Sequence, residues 1–218
     1  MPIVFAFSYS PKTILAASAY SSSIKSAPMQ SISYLKSTKQ PLFISVPSIY
    51  RLLKSFLTKL TKSVQITFIS CGEPLDSKLA IDLMDGSLNA FYNLYGSTEV
   101  APWILALDVI KYSHDVGVKN LPPILPAGKP LSDVHLQITE DTHELIISSK
   151  QVFMGYLDQS NHSSHFITYA DGTRYFRTGD KFIFKDDHYF CLGRLNTAVK
   201  IAGVFVNPQL IEAELKSL

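Results

Sequence analysis

With 218 residues, 46% of them apolar and 17% charged, and a formal net charge of +2, the chain has the make-up of a globular protein with one sizeable core or two modest domains. Its lysines are scattered rather than gathered into a run, which argues against a nucleic-acid or membrane partner and for a small-molecule site. No apolar stretch reaches the about 20 residues that span a bilayer. The short run Ile3 to Phe7 follows Pro2 with no Lys or Arg before it, unlike a signal peptide, so a cytoplasmic protein is expected. Cys71 and Cys191 lie far apart without metal-type spacing and are expected to be buried free thiols.

Residues 1–40 are rich in Ser, Ala and Tyr and carry no clear period, although Ile14 to Ala19 is apolar. Leu42 to Val46 reads as a short buried strand, and Pro47 suits a first helical turn. Ile49, Leu52, Leu53, Phe56, Leu57 and Leu60 then recur at helical spacing, with Arg51, Lys54 and Lys59 on other faces, which predicts an amphipathic helix packed on a sheet. Val64 to Ser70 is strand-like and runs into the turn Cys71-Gly72-Glu73-Pro74. A weaker helical pattern follows through Leu79, Ala80 and Leu83, and Ala90 to Tyr92 is again strand-like. This alternation is that of an α/β domain, in which ligands bind where loops leave the carboxyl ends of strands. Two loops meet that condition, Gly72-Glu73-Pro74 and Tyr95 to Glu99, and both are expected on one sheet edge.

The second loop belongs to the stretch Asn93-Leu94-Tyr95-Gly96-Ser97-Thr98-Glu99. Tyr95 supplies an aromatic face, Gly96 permits close backbone approach, Ser97 and Thr98 supply hydroxyls, and Glu99 supplies a carboxylate. Those groups can hold a base, a phosphate and a divalent cation; they also describe a strand exit followed by a polar helix cap.

Beyond Trp103 the texture changes. Pro122, Pro123, Pro126 and Pro130 punctuate a loop, and alternation then dominates in Val134 to Ile138 and in Glu144 to Ile147, as in a smaller β-rich subdomain. Tyr175-Phe176-Arg177-Thr178-Gly179-Asp180 precedes a predicted hairpin, Phe182 to Phe184 and Tyr189 to Leu192, turning at Asp186-Asp187 and closing on Gly193-Arg194. Val199 to Val206 leads through Asn207-Pro208 into a predicted helix with Ile211, Leu215 and Leu218 on one face.

Taken in order, four stretches carry a resemblance: Cys71-Gly72-Glu73-Pro74-Leu75, Tyr92 to Glu99, Tyr175 to Asp180, and Gly193-Arg194-Leu195-Asn196 running into Val199 to Gly203. Gly128-Lys129-Pro130-Leu131 and Val152 to Leu157 lie between the second and third. From about Phe43 onward the chain resembles the AMP-forming adenylation superfamily of acyl-CoA synthetases, luciferase and non-ribosomal peptide synthetase adenylation domains. It looks most like the branch of D-alanine–carrier-protein ligases. The resemblance implies an α/β fold: an adenine-nucleotide-binding portion over 1–125, a β-rich subdomain over 126–195, and a hinge with the start of a C-terminal lid domain over 196–218.

It also implies site roles. The main chain of Gly72, Glu73 and Pro74, with Asn93 and the ring of Tyr95, would bracket adenine, and Gly96 would let the backbone approach it. Thr98 would hydrogen-bond the α-phosphate of ATP or AMP, and Glu99 would ligate Mg2+, these two being the catalytic pair. Asp180 would accept hydrogen bonds from the ribose hydroxyls, and Arg194 would reach ribose or phosphate oxygens. The reaction implied is attack of a carboxylic or amino acid on the α-phosphorus of ATP, followed by transfer of the acyl group to a carrier-protein or CoA thiol; it needs no nucleophilic side chain. Each motif also has a plain structural reading: Asp180 as a turn cap, Arg194 as a surface charge, Gly203 as a strand bulge.

Three departures qualify the resemblance. No glycine precedes Gly72, so the glycine-rich phosphate loop is expected to be missing, and Ser8-Tyr9-Ser10-Pro11-Lys12 matches only its Pro-Lys ending. The lid domain with its catalytic lysine is expected to be truncated, with Asn196 at the hinge and Ala202 where a basic residue is usual. Phe5-Ala6-Phe7-Ser8 offers no carboxylate for an α-amino group. The expectations are therefore a partial or split ligase, completed by a companion chain, or alternatively a non-catalytic adenine-nucleotide-binding module or a gene remnant.

Overall fold

The computed structural model describes residues 14–16, 41–100, 103–156, 165–195, 199–201, 204–206, 211 and 215. The chain falls into two compact units: residues up to Leu94 together with Leu107–Leu125, and Tyr95–Ala106 together with Pro126 onward.

In the first unit the strands β1 (Ile14–Ala16), β2 (Leu42–Ser45), β3 (Ile66–Cys71) and β4 (Leu88–Tyr95) lie side by side in that order, all parallel. Parallel neighbours need crossover connections. Helix α1 (Pro47–Leu60) links β2 to β3, and α2 (Ser77–Met84) links β3 to β4. This is the α/β arrangement that the alternation predicts. Pro47 stands at the start of α1, where its missing N–H removes no helical bond.

The buried stripe of α1 is Ile49, Tyr50, Leu53, Leu57 and Leu60. Leu52 and Phe56, expected on that stripe, are 60% and 39% exposed. Each precedes a buried leucine by one residue, a step of roughly 100° around the helix, which carries it off a stripe already filled at i and i+4. The register across the sheet sets Phe43, Phe68 and Phe91 in one row, and Tyr50 packs on it with ring centroids 5.3, 5.4 and 6.3 Å away. The buried Tyr50 hydroxyl donates to the carbonyls of Phe43 and Ile69 at 2.7 and 3.0 Å, so its burial strands no polar group.

Strand β5 (Leu105–Asp108) and helix α3 (Val109–Val116) lie outside the sequence expectations. Asp108 caps α3 by accepting from Lys111 N at 3.0 Å, and Gly117, with φ 84°, ends it. Leu107, Val109 and Leu125 join the first core.

The second unit is antiparallel. Leu105 and Ala106 pair with β6 (Lys129–Pro130). A sheet then runs in the order β11 (His188–Arg194), β10 (Arg174–Lys185), β8 (Glu144–Ser149), β7 (Val134–Ile138), with β9 (Phe166–Thr168) on β10. The β10–β11 hairpin turns at Asp186 and Asp187, as predicted, with φ 48° and 60°; two left-handed residues match the twist of the flanking strands. Val100, Ile104, Leu105, Ala127, Leu145, Ile147, Phe176 and Phe182 form its core. Val199 to Val206 forms two short antiparallel strands, β12 (Val199–Ile201) and β13 (Val204–Val206). Ile211 and Leu215 are helical and exposed. Leu218, Asn196, Ala202, Gly203 and the stretch 5–12 lie outside the described residues. Cys71 and Cys191 are free, but half-buried rather than buried: Cys71 is the last residue of β3, and Cys191 stands in the middle of β11, an edge strand. Among the described residues no helix is long and apolar enough to cross a membrane.

Candidate functional site

On the first unit, β3 and β4 end together, Cys71 pairing in register with Leu94. Gly72 follows β3 with φ 79°, a left-handed conformation that glycine adopts without penalty. The Glu73 side chain turns back to α1, where its Oε2 accepts from Ser48 N and its Oε1 from Ser48 Oγ, both at 2.8 Å. Val46, which precedes α1, gives no side-chain cap. Glu73 therefore supplies from another loop the acceptor and the negative charge that a helix start lacks. Its carboxylate is committed to that helix, which leaves the main chain of Gly72, Glu73 and Pro74 as what the loop offers a ligand. Asn93 is buried in β4, paired in register with Ser70.

The remaining candidate residues are on the second unit. Tyr95 donates its hydroxyl to Asp180 Oδ2 at 2.6 Å and sets its ring edge-on to Phe182 at 4.8 Å. Arg194 Nε reaches Asp180 Oδ1 at 3.1 Å. Burial raises the Asp180 carboxyl above the ordinary aspartate value, with Glu144 and Glu99 adding to it, against the opposing pull of Tyr95 and Arg194. Burial and the Asp180 charge together push the Tyr95 phenol well up, so the proton stays on the tyrosine. A carboxylate has about four lone-pair positions, so two such bonds leave acceptor capacity on Asp180.

A disruption in β10 delivers Asp180. Arg177 pairs with Ile146 and Lys181 with Glu144, so Thr178, Gly179 and Asp180 stand opposite the single residue Leu145. Gly179, at φ 70°, takes the left-handed turn that the extra residues need. Thr178 Oγ1 donates to Leu145 O at 2.7 Å and accepts from Asp180 N at 3.0 Å.

Glu99 lies in a 3-10 turn, Thr98–Val100, that follows half-buried Gly96 and Ser97. Its carbonyl accepts from Phe153 N at 2.9 Å and its Oε1 from the Tyr156 hydroxyl at 2.9 Å. Burial pulls its carboxyl up, but the hydroxyls of Ser97 and Tyr156, its own amide and the Arg194 charge outweigh this and hold it below the ordinary glutamate value. Thr98 is exposed beside it. The second unit thus gathers Tyr95, Glu99, Asp180 and Arg194 into one electrostatic neighbourhood, whereas Gly72, Glu73, Pro74 and Asn93 stand on the first.

Sequence reading missed Tyr156, Glu144 and Arg177. Tyr156 sits in the quoted stretch Val152 to Leu157, and Glu144 is a charge at the head of an apolar strand; that placement is the signal that marks it. Among the described residues no three His, Cys, Asp or Glu side chains gather as a metal cage. One ionised carboxylate such as Glu99 fits a Mg2+ held mainly by substrate phosphates, the usual way that ion is bound.

A family model described as AMP-binding enzyme matches residues 1–157. The chain is 35% identical over 150 residues to the D-alanine--D-alanyl carrier protein ligase of Staphylococcus haemolyticus, covering 68% of this chain and 30% of the ligase. The chain therefore spans under a third of that relative's length. Among solved structures it superposes on Klebsiella oxytoca NpsA in complex with 3-hydroxyanthranilyl-AMSN with a TM-score of 0.73 at 21% identity, covering 87% of this chain and 40% of that one. It superposes on the Vibrio cholerae adenylation domain AlmE in complex with glycyl-adenosine-5'-phosphate with a TM-score of 0.65 at 26% identity, covering 89% and 38%. The fold is that of part of an adenylation domain, and with the family match extending over residues 1–157 of 218 the chain belongs to the AMP-binding enzyme family.

Proposed function

We propose that the chain is the adenosine-binding part of an AMP-forming ligase that activates a carboxylic or amino acid. A carboxylate oxygen of the acid attacks the α-phosphorus of ATP, the bond to pyrophosphate breaks, and acyl-AMP forms. A thiol of a carrier protein or CoA then attacks the acyl carbon and AMP leaves. The observation that carries this reading is Asp180, placed on a bulge between the Tyr95 hydroxyl and the Arg194 guanidinium with acceptor positions to spare.

In this reading Asp180 accepts the ribose hydroxyls, Arg194 adds a donor for ribose or phosphate oxygen, and Tyr95 stacks on the base. The main chain of Gly72, Glu73 and Pro74, with Asn93, reads the edge of adenine, and Gly96 leaves room for it. Thr98 donates to the α-phosphate. Glu99 would hold a magnesium ion, which when bound neutralises phosphate charge. Such a site works by positioning and charge rather than by a nucleophilic side chain. The phosphate loop and the lid lysine are taken to come from outside the residues that build this site, in keeping with the 30% of the ligase that the chain spans.

The test is ATP–pyrophosphate exchange across a panel of carboxylic and amino acids, run beside calorimetric titration with AMP. Binding with acid-dependent exchange is the expected outcome for the complete ligase. Binding without exchange by this chain alone fits the proposal, whereas binding without exchange for any acid when the phosphate loop and lid segments are supplied points to the non-catalytic nucleotide-binding module instead. A folded chain that binds neither AMP nor ATP contradicts both.

A further inference from the structure

The bulge that carries Asp180 has its own support, and it converges on one buried carboxylate. Glu144 is 2% exposed. Its Oε1 accepts from Gly179 N at 2.9 Å, and its Oε2 accepts from Arg177 Nε at 2.9 Å and Nη2 at 2.5 Å. The residues it grips stand immediately before Asp180 and three positions before it. A bulge leaves ladder N–H groups without strand partners; here Glu144 takes that of Gly179, and Thr178 takes that of Asp180.

A pair of a buried carboxylate with a guanidinium 38% exposed is a weak source of stability, because desolvation of the one and solvent screening of the other offset most of the attraction, so what this one supplies is geometry. The Arg177 fork approaches Glu144 through two nitrogens, and β8 is fixed beneath both residues by its pairing with β10. Asp180 is thereby tied at its backbone to β8 before any ligand arrives.

We propose that Glu144 is a positioning residue: acting through Arg177 and the amide of Gly179, it holds Asp180 in the orientation that reads the ribose hydroxyls. This rests on the ribose-binding reading of Asp180. Glu144 touches no ligand, so its loss loosens one recognition element and leaves base and phosphate contacts in place.

The experiment compares AMP with 2′,3′-dideoxyadenosine 5′-monophosphate by calorimetry on the full chain. Hydrogen bonds from two hydroxyls to a carboxylate should favour AMP by on the order of tenfold or more. In Glu144→Gln, which can still accept from the Gly179 amide but loses the charged fork, that ratio falls toward one while affinity for the dideoxy compound is retained. Arg177→Lys, which keeps the charge but not the two-nitrogen grip, gives the same collapse and serves if Glu144→Gln does not fold. An unchanged ratio in a folded variant, with both ligands weakened equally, would reduce Glu144 to a structural role and overturn the proposal. Equal affinities in the unsubstituted chain would overturn the ribose reading of Asp180, and this proposal with it.

Discussion

Asp180 has to be both buried and charged, and those demands conflict. Burial raises its carboxyl, so its stability contribution is present below the ordinary aspartate value of 3.8 and is lost as pH rises through the raised value of the folded protein. Ligand binding has the opposite need, because only the ionised form accepts two hydroxyl protons. AMP affinity should therefore fall on acidification with a midpoint above 3.8, which a calorimetric titration series from neutral pH downward checks; a midpoint at or below the ordinary value contradicts it. Glu99 runs the other way. Held below its ordinary value by the Ser97 and Tyr156 hydroxyls, its amide and Arg194, it stays ionised further into acid, and its stabilising share is lost only as pH falls through that lowered value. The motifs made Tyr95, Glu99, Asp180 and Arg194 legible as a set. They left Glu144 and Tyr156 illegible, since which residue faces which depends on the register of β8 against β10 and on the fold of the Phe153–Tyr156 loop.

At the scale of elements, legibility followed period and turn signals. α1 spans 14 residues with a clear apolar stripe, β7 alternates cleanly, and the hairpin announces itself through Asp186-Asp187; all three are where the pattern puts them. β5 and α3 are no shorter than β2 and α2, which the pattern did mark, but they carry no comparable run or turn signal, and a cap at Asp108 and a stop at Gly117 are all that mark α3. The cap of α1 was not visible at all, because Glu73 reaches it from a loop 25 positions away. That contact gives Glu73 a role independent of any ligand. Glu73→Ala should cost about 0.5–2 kcal/mol of stability, the range for a lost helix cap, measured by urea unfolding. A change within error would show that Ser48 finds an equivalent acceptor in water.

Over the whole molecule, two units with separate cores bound what each substitution can do. Phe68 is fully buried in the first core, in edge contact with Phe43, Tyr50 and Phe91. Phe68→Ala should destabilise that unit by about 3–5 kcal/mol, seen as a lowered unfolding midpoint. The central claim is that this chain binds an adenine nucleotide through Asp180. Its most direct test is calorimetric titration of the full chain and of Asp180→Ala with AMP, with circular dichroism confirming the fold of each. The account predicts saturable binding that the substitution weakens by about 1.5–3 kcal/mol, as for hydrogen bonds to a charged group. Unchanged affinity in a folded Asp180→Ala, or no binding by either protein, would contradict it.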